Sequence, residues 1–258
     1  MKTIMTIAGS DTCAGAGLQQ DLKTITALGH YAVTVTTALT AQNTVGVQKV
    51  MAVNGDMLEA QLDSVMSDIS VSAVKIGMIP NVALARIIVS AVKRLGVAVV
   101  CDPVMVSTSG TQLMADECVD YIKSELFPLC TLVTPNIPEA LRLAKNSGCG
   151  DDIDAIGRQL VSEFRTSVLI KGGHASGNIM RDVLYCADGS VHDYSTERIQ
   201  TSNLHGTGCT MSSASATFLA EGLSLPEAVE RAKKVVAQGI EKGRALNIGR
   251  GNGPLWMF

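Results

Sequence analysis

The sequence predicts an α/β fold in which helices cover both faces of a doubly wound, mostly parallel sheet. Short apolar runs of strand length alternate along the chain with segments of helical periodicity. Hydrophobic residues form 47% of the 258 residues, whereas aromatic residues form only 3%. An aliphatic core of this kind is typical of a sheet buried on both faces. Since no linker or internal repeat interrupts the alternation, we expect one domain over residues 1–258.

The expected strands are short runs rich in Val, Ile, Leu, Thr or Ala. They cover residues 3–8, 32–39, 73–76, 97–101, 131–133 and 167–170. Two further runs, 183–187 and 191–194, flank the dipeptide Asp188-Gly189. A dipeptide of this type between two apolar runs predicts a β-hairpin.

Helices are expected where apolar residues recur at intervals of three and four. Such a pattern covers residues 56–69, and another begins at Pro80. Ser224 and Glu227 have the spacing of a capping box, so a further helix is expected to start there. The small-residue run 211–216 predicts a helix that is buried on all sides.

Composition argues against several classes of protein. The net charge is −3 and no dense Lys/Arg cluster occurs, so we do not expect a nucleic-acid partner. No apolar stretch has membrane-spanning length, so no membrane partner is expected either. The seven cysteines are scattered and form no Cys-x-x-Cys pair. That pattern favours free thiols in the cytoplasm over a disulfide framework or a zinc site.

The segment 205–210, His-Gly-Thr-Gly-Cys-Thr, is the most informative motif, because it precedes the expected buried helix. Backbone N–H groups and the positive end of the helix dipole favour an anion at such a turn. Gly206, Thr207 and Gly208 would form the cradle, and Cys209 would lie in the first turn, where the pKa of a thiol is lowered. The alternative is a glycine-rich turn with a buried structural cysteine.

A second glycine-rich loop, residues 9–17, lies between the first expected strand and a helix. It has neither the spacing of a dinucleotide-binding motif nor the Gly-Lys-Ser/Thr ending of a P-loop. Asp102 and Lys171 each follow directly after an apolar run, and Asn136 lies shortly after a third. Because ligands bind beyond the carboxyl ends of parallel strands, we expect these loops to converge on one site.

Taken in order, these motifs resemble the hydroxymethylpyrimidine/phosphomethylpyrimidine kinases of the ribokinase-like superfamily. The matching segments span nearly the whole chain: 8–11, 15–17, 21–24, 39–44, 75–78, 102–105, 134–140, 171–174, 205–210 and 249–254. Single motifs are moderately specific, but the ordered set is highly specific.

The resemblance implies an enzyme of thiamine biosynthesis. Such a kinase uses ATP and Mg²⁺ to phosphorylate 4-amino-5-hydroxymethyl-2-methylpyrimidine, and then converts the monophosphate to the diphosphate. It also implies a homodimer in the cytoplasm. The nearest alternative is a pyridoxal kinase of vitamin B6 salvage from the same superfamily. A non-catalytic pyrimidine-binding protein is a third reading, disfavoured by the acidic, lysine and Gly-Cys elements.

The resemblance also implies roles for individual residues. Cys209 would accept the proton of the substrate alcohol, and the Gly206–Gly208 turn would stabilise the transferred phosphate. The pyrimidine would be bound by Gly9, Asp21, Gln42, Met78 and Val104. ATP would be bound by Asn136, Lys171 and Thr207. Mg²⁺ would be bound by Asp102 and Glu139.

Several of these residues also have a plain structural interpretation. Asp21 could be a charge on a helix surface, Asp102 a cap of the following turn, and Met78 a core residue. The polar segment 106–111 resembles the lid of the family and would exclude water from the site.

The chain departs from the family pattern at two places. The first loop reads Thr12-Cys13-Ala14-Gly15 where a Ser-Gly-Gly type of sequence is common, and Ala14 lacks the backbone freedom of glycine. In the segment 249–254, Asn252 stands where histidine is frequent, and no catalytic residue is expected there.

Overall fold

The computed structural model describes residues 1–106, 110, 112–145, 150–173 and 178–258. Within these residues nine strands form one sheet with the order β3-β2-β1-β4-β5-β6-β7-β8-β9. The strands are β1 (Thr3–Ser10), β2 (Tyr31–Asn43), β3 (Gly46–Ala52), β4 (Ala73–Ile76), β5 (Ala98–Cys101), β6 (Leu132–Val133), β7 (Ser167–Ile170), β8 (Ile179–Tyr185) and β9 (Val191–Glu197). Strands β2, β1, β4, β5, β6 and β7 are parallel, and antiparallel strands complete both edges. The expected fold class is confirmed.

Two layers of helices bury the two faces of this sheet. The helices of the described residues are α1 (Gly17–Ala27), α2 (Gly55–Asp68), α3 (Val82–Leu95), α4 (Asp116–Glu125), α5 (Ile137–Leu143), α6 (Ile153–Phe164), α7 (Thr207–Ala220) and α8 (Leu225–Gly243), with a 3₁₀ turn at Phe127–Leu129. Helices α2 to α6 pack on one face, and α1, α7 and α8 pack on the other. Both cores are built from aliphatic side chains, as the low aromatic content predicts.

Most of the expected elements are present where the sequence places them. Strands β4 and β7 have the predicted bounds, and the hairpin of β8 and β9 turns at Asp188-Gly189. Pro80 precedes α3 rather than starting it, because the side chain of Asn81 caps the helix by accepting from Leu84 N at 3.0 Å. The capping box at Ser224 is also present.

The β2–β3 hairpin is the main element that the sequence does not predict. Strand β2 continues to Asn43 and pairs with β3 in antiparallel fashion. Leu39, Val45, Val50 and Met51 in this hairpin are between 37% and 62% exposed. Because the hairpin is poorly buried, its sequence lacks the alternation of apolar and polar residues that would predict a strand.

Helix α7 is buried although hydroxyl side chains are frequent in it. Ser212, Ser213, Ser215 and Thr217 have no exposed surface. Three of the hydroxyls donate to backbone carbonyls one turn earlier: Ser212 to Gly208 O, Ser215 to Met211 O and Thr217 to Ser213 O, at 2.8 to 3.0 Å. Their polar groups are therefore satisfied locally, which allows the helix to pack against the sheet and α8.

The segment 249–254 connects the hairpin to the start of α7. The amides of Arg250 and Gly251 donate to Thr44 Oγ1 at 3.2 Å, and the amide of His205 donates to Gly253 O at 3.0 Å. Leu255, directly after the segment, is buried. No helix in the described part of the chain has the length and apolar character needed to cross a membrane.

Candidate active site

The candidate site lies beyond the carboxyl ends of the central parallel strands, as expected. Asp102 follows β5 and Lys171 follows β7, and Lys171 Nζ donates to Asp102 Oδ1 at 2.6 Å. Thr134, after β6, donates its hydroxyl to the same oxygen at 3.2 Å. A Cβ built on Gly208 would lie 3.2 Å from both Asp102 Oδ2 and Lys171 Nζ. The start of α7 therefore faces this ion pair.

The turn before α7 requires glycine at Gly206. Its φ is +93°, and a Cβ there would lie 1.9 Å from Gly15 O in the first glycine-rich loop. The two loops that the sequence singles out are therefore packed against each other. The amide of Thr207 donates to Leu204 O at 3.3 Å, so part of its capacity to bind a phosphate is already used.

Cys209 lies in the first turn of α7, but its thiol does not have the predicted property. Burial raises the pKa of Cys209 to about 11, although the Lys75 ammonium and the Gly17 N–H act in the opposite direction. The charges of Asp21 and Asp102 also disfavour the thiolate. The prediction of a lowered pKa is wrong, because burial of the thiol, together with Asp21 and Asp102, outweighs the Lys75 ammonium and the Gly17 N–H.

Asp21 lies beneath the site and not at its surface. Both it and Lys75 are fully buried, and Lys75 Nζ donates to Asp21 Oδ2 at 2.7 Å and Oδ1 at 2.8 Å. Thr6 and Ser213 donate their hydroxyls to the same carboxylate at 2.5 and 2.6 Å. The expected contact of Asp21 with the pyrimidine does not agree with this placement, because four hydrogen bonds occupy the carboxylate. Nor is Asp21 a surface charge.

Lys75 was not singled out for a role by the sequence. Burial opposes its charge, but Asp21 outweighs this and raises the pKa of Lys75 above its usual range. The charged pair supports the start of α7 from below, since Ser213 belongs to that helix. A lysine inside a four-residue apolar strand was the available signal, because such a side chain needs a buried anion.

Glu139 and Asn136 form a capping box at the start of α5. Asn136 Oδ1 accepts from Glu139 N at 2.9 Å, and Asn136 N donates to Glu139 Oε2 at 2.9 Å. Burial raises the pKa of Glu139 to about 7; Asp102 adds to the rise, whereas Lys171 opposes it. Glu139 therefore lies close enough to the Asp102–Lys171 pair to sense both charges.

Lys171 remains a cation in spite of its burial. Burial lowers its pKa, but Asp102 and Glu139 outweigh this effect and raise it. Its amide donates to Pro135 O at 2.9 Å, which joins the ends of β6 and β7. The structure therefore brings together four of the five residues expected for ATP phosphates and metal: Asp102, Asn136, Glu139 and Lys171. The fifth, Thr207, is the first residue of α7.

On the opposite side, residues expected for the pyrimidine lie near the first loop. A Cβ on Gly9 would lie 3.1 Å from Met78 Sδ, so these two residues are in contact. Met78 is buried, and Val104 is half-buried two residues after Asp102. The amide nitrogen of Gln42 lies 3.2 Å from His205 Nε2.

Asp11 organises this loop, a role that the sequence analysis missed. Its carboxylate accepts from the amides of Cys13, Gly15 and Ala16 at 2.8 to 3.0 Å. It also contacts His205 Nε2 at 2.8 Å. An aspartate at the start of a glycine-rich loop was the available signal, because Asp side chains bind nearby backbone amides in turns.

Ala14 occupies a position in this loop that favours glycine. Its φ is +58°, in the left-handed region, so the departure from the family pattern carries backbone strain. Of the expected lid 106–111, Ser107, Thr108, Ser109 and Thr111 lie outside the described residues.

Comparison with known proteins shows to which family the chain belongs. The model of the phosphomethylpyrimidine kinase family matches residues 11–256. The chain belongs to this family. It is 44% identical to the hydroxymethylpyrimidine/phosphomethylpyrimidine kinase of Rhizobium meliloti over 257 residues, which are 98% of this chain and 96% of that protein. The resemblance drawn from the motifs is confirmed, and the chain is a kinase.

Two solved structures show the same fold. A phosphomethylpyrimidine kinase from Clostridium difficile is 37% identical, with a TM-score of 0.80 over 93% of this chain and 100% of that one. A pyridoxal kinase from Staphylococcus aureus, in complex with AMP-PCP and pyridoxal, is 31% identical. It has a TM-score of 0.88 over 99% of this chain and 93% of that one.

Proposed function

We propose that this kinase transfers the γ-phosphoryl group of ATP to 4-amino-5-hydroxymethyl-2-methylpyrimidine, and then a second one to the monophosphate, in thiamine biosynthesis. The main support from the structure is the Asp102–Lys171 pair, which faces the glycine turn at the start of a buried helix. Phosphoryl transfer depends on positioned positive charge and on N–H groups directed at the phosphate. Family membership supplies the pyrimidine as substrate class.

On the nucleotide side, Lys171 would bind the phosphates of ATP together with Gly206, Thr207 and Gly208. Asn136 positions Glu139 through the capping box and lies next to the phosphate site. Asp102 and Glu139 offer carboxylate oxygens, the ligands that Mg²⁺ prefers. Burial raises the pKa of Glu139 and so disfavours its carboxylate form. A bound cation would supply the positive charge that favours this ionised form, which fits a role for Glu139 as a metal ligand. Mg²⁺, when bound, neutralises charge on the phosphates.

On the pyrimidine side, Gln42 offers a donor and an acceptor in one amide, which fits an aminopyrimidine edge. Gly9, Met78 and Val104 would form the wall of the pocket. Asp21 acts indirectly in this proposal. Together with Lys75 it holds α7, which carries Cys209.

Cys209 would accept the proton of the hydroxymethyl group in the first phosphorylation. Because its pKa is about 11, only about one molecule in ten thousand carries the thiolate at pH 7. The kcat/KM of the first step is therefore expected to rise with pH between about pH 7 and pH 10. The second step attacks from a phosphate oxygen, which needs no base, so its kcat/KM should depend less on pH.

Cys209→Ala tests this division of labour. We expect the kcat of the first step to fall by about 10²–10⁴, with loss of its rise with pH, while the second step changes by a few-fold. Cys186→Ala is the control, because Cys186 is buried after β8 and has no role in the site. Equal losses in both steps would contradict the assignment of Cys209 as a base.

A pyridoxal kinase is the second candidate, because the Staphylococcus aureus enzyme has a TM-score of 0.88 with this chain. Purified protein should be incubated with Mg-ATP and either hydroxymethylpyrimidine or pyridoxal, and the products followed by mass spectrometry. Mono- and then diphosphorylated pyrimidine is expected. Pyridoxal phosphate as sole product would overturn the proposal, and Lys171→Gln controls for contaminating kinases.

Three further expectations stay predictions: a single domain over residues 1–258, a homodimer and a cytoplasmic location. The exposed apolar side chains of the β2–β3 hairpin, Leu39, Val45, Val50 and Met51, support association with a second copy. Sedimentation velocity of the purified chain would determine its oligomeric state.

A further inference from the structure

We propose that Asp11, Cys13 and His205 form a binding site for a borderline divalent cation of the Zn²⁺ type at the mouth of the pyrimidine pocket. Asp11 and Cys13 lie two residues apart in the first glycine-rich loop, whereas His205 lies 194 residues after Asp11, and the cysteines lack the spacing of a zinc site. The fold brings a carboxylate, a thiol and an imidazole together. This site is distinct from the carboxylates proposed for Mg²⁺.

The distances between the three donor groups support this inference. All the potential ligand atoms lie within 4.8 Å of one another. Asp11 Oδ2 lies 2.8 Å from His205 Nε2 and 3.5 Å from Cys13 Sγ. Zn²⁺ binds its ligands at about 2.0 to 2.3 Å in a tetrahedron, so neighbouring donors are about 3.3 to 3.8 Å apart. Small side-chain movements therefore suffice to admit the ion.

Two of the three ligands are held in place by the fold. Three backbone amides hold the Asp11 carboxylate. The ring of His205 packs against Gly15, where a Cβ would lie 2.1 Å from His205 Cδ2. Cys13 is half-buried, so an ion can reach its thiol from solvent. A preorganised donor set of this kind lowers the cost of binding.

The donor chemistry selects the class of metal. Thiolate, imidazole and carboxylate together are ligands of Zn²⁺ and related ions, whereas Mg²⁺ prefers oxygen ligands and water. On binding, the Cys13 thiol releases its proton to solvent, and the His205 ring carries its remaining proton on Nδ1. Lys23 Nζ donates to Ala14 O at 2.6 Å and opposes a cation. The thiolate and the carboxylate together outweigh that single positive charge.

Binding of the ion would oppose binding of the pyrimidine. His205 Nε2 contacts the amide of Gln42 at 3.2 Å, and a metal at Nε2 would replace this contact and occupy space next to Gln42. Zn²⁺ would therefore act as an inhibitor that competes with hydroxymethylpyrimidine but not with ATP. This consequence rests on the proposed function, whereas the metal site itself does not.

Titration of the full-length chain with Co²⁺ tests the site without reference to activity. We expect one equivalent to give the near-ultraviolet absorption of a cobalt–thiolate bond, and Zn²⁺ to displace it. Cys13→Ser should abolish this absorption and weaken Zn²⁺ binding at least tenfold. His30→Gln is the matched control, since His30 contacts Glu221 at 2.7 Å in a His–carboxylate pair that no cysteine joins within the described part of the chain.

Two results would overturn the site: no cobalt–thiolate absorption in the parent chain, or absorption that survives Cys13→Ser and disappears in Cys209→Ser. The phosphorylation assay then separates the metal site from the proposed function. If Zn²⁺ binds through Cys13 but the pyrimidine is not phosphorylated, the metal site stands and the proposed function fails. If the pyrimidine is phosphorylated and no thiolate absorption appears, only the metal site fails.

Discussion

Two aspartate–lysine pairs flank the start of α7, and they differ in what surrounds them. Asp21 and Lys75 have no exposed side-chain surface, whereas Asp102 and Lys171 are 4% and 15% exposed. The buried carboxylate accepts from two hydroxyls in addition to its lysine. The Asp102–Lys171 pair faces Gly208 at the start of α7 instead. Ion pairs of the same composition thus serve two purposes: one supports the helix, and the other is available to a ligand.

The sequence alone does not show which aspartate pairs with which lysine. Asp21 lies 54 residues from Lys75, and Asp102 lies 69 residues from Lys171. Asp102 and Lys171 each follow an apolar run, Lys75 lies inside one, and Asp21 lies in a mostly polar segment. The difference arises from Thr6 and Ser213, whose hydroxyls complete the buried pair.

The largest expected effect is on stability, from Lys75→Met. Removal of the ammonium leaves a buried carboxylate without its counter-ion, which typically costs about 3–5 kcal/mol of the free energy of unfolding. Urea unfolding monitored by circular dichroism measures it. Lys234→Met is the control, because Lys234 forms an exposed pair with Glu230, and such a pair contributes about 0–1 kcal/mol. Similar losses of unfolding free energy in both variants would show that the buried pair stabilises the fold no more than an exposed pair does.

Lys171→Gln should affect activity more than stability, the reverse of Lys75→Met. We expect kcat to fall by about 10²–10³, as when one stabilising donor is removed from a transition state. The loss of stability should be smaller than that of Lys75→Met, because the pair is partly exposed. Steady-state kinetics and urea unfolding of the same samples give both values. Full activity in this variant would remove the basis for treating the two pairs differently.

Glu139, next to the Asp102–Lys171 pair, makes the stability of the chain depend on pH. Its pKa is about 7 in the folded chain and close to 4.5 when unfolded, so the folded state holds the proton more tightly. Its contribution to stability is therefore present below about pH 4.5 and is lost as the pH rises to about 7, by up to about 3 kcal/mol. Relative to Glu139→Gln, the parent chain should lose stability over this interval. Parallel curves for the two proteins would contradict the raised pKa.

The smallest expected effect concerns the loop that leads into α1, the helix that carries Asp21. Ala14→Gly should stabilise the chain by up to about 1 kcal/mol, because glycine adopts a positive φ without strain. Ala14→Val should destabilise it. Arg165→Gly is a matched case outside the site, since Arg165 has a φ of +56°. Thermal unfolding of the variants would measure these changes, and a lower Tm for Ala14→Gly would contradict the account.

The sequence predicted the parts of this molecule that local patterns determine. Buried apolar runs gave the bounds of β4 and β7, and polar residues after strands identified the Asp102–Lys171 side of the site. The β2–β3 hairpin was missed because its exposed strand has no periodic pattern. The family resemblance placed Asp21 in the pocket, and its burial was missed because Lys75, its partner, is remote in the sequence. The predicted direction of the Cys209 pKa was wrong because burial of the thiol, the main cause of the raised pKa, depends on tertiary packing.

The segment 249–254, which connects the β2–β3 hairpin to α7, has a consequence for the cooperativity of unfolding. Residues 249–254 bind Thr44 at one end and His205 at the other. Hydrogen bonds thereby join the hairpin, the segment 249–254 and the Gly206–Gly208 turn. If one of these segments unfolded alone, groups in the others would lose their hydrogen-bond partners. In hydrogen exchange, these three segments should behave as one unit of local unfolding, although the hairpin lies about 150 residues or more before the other two in the sequence.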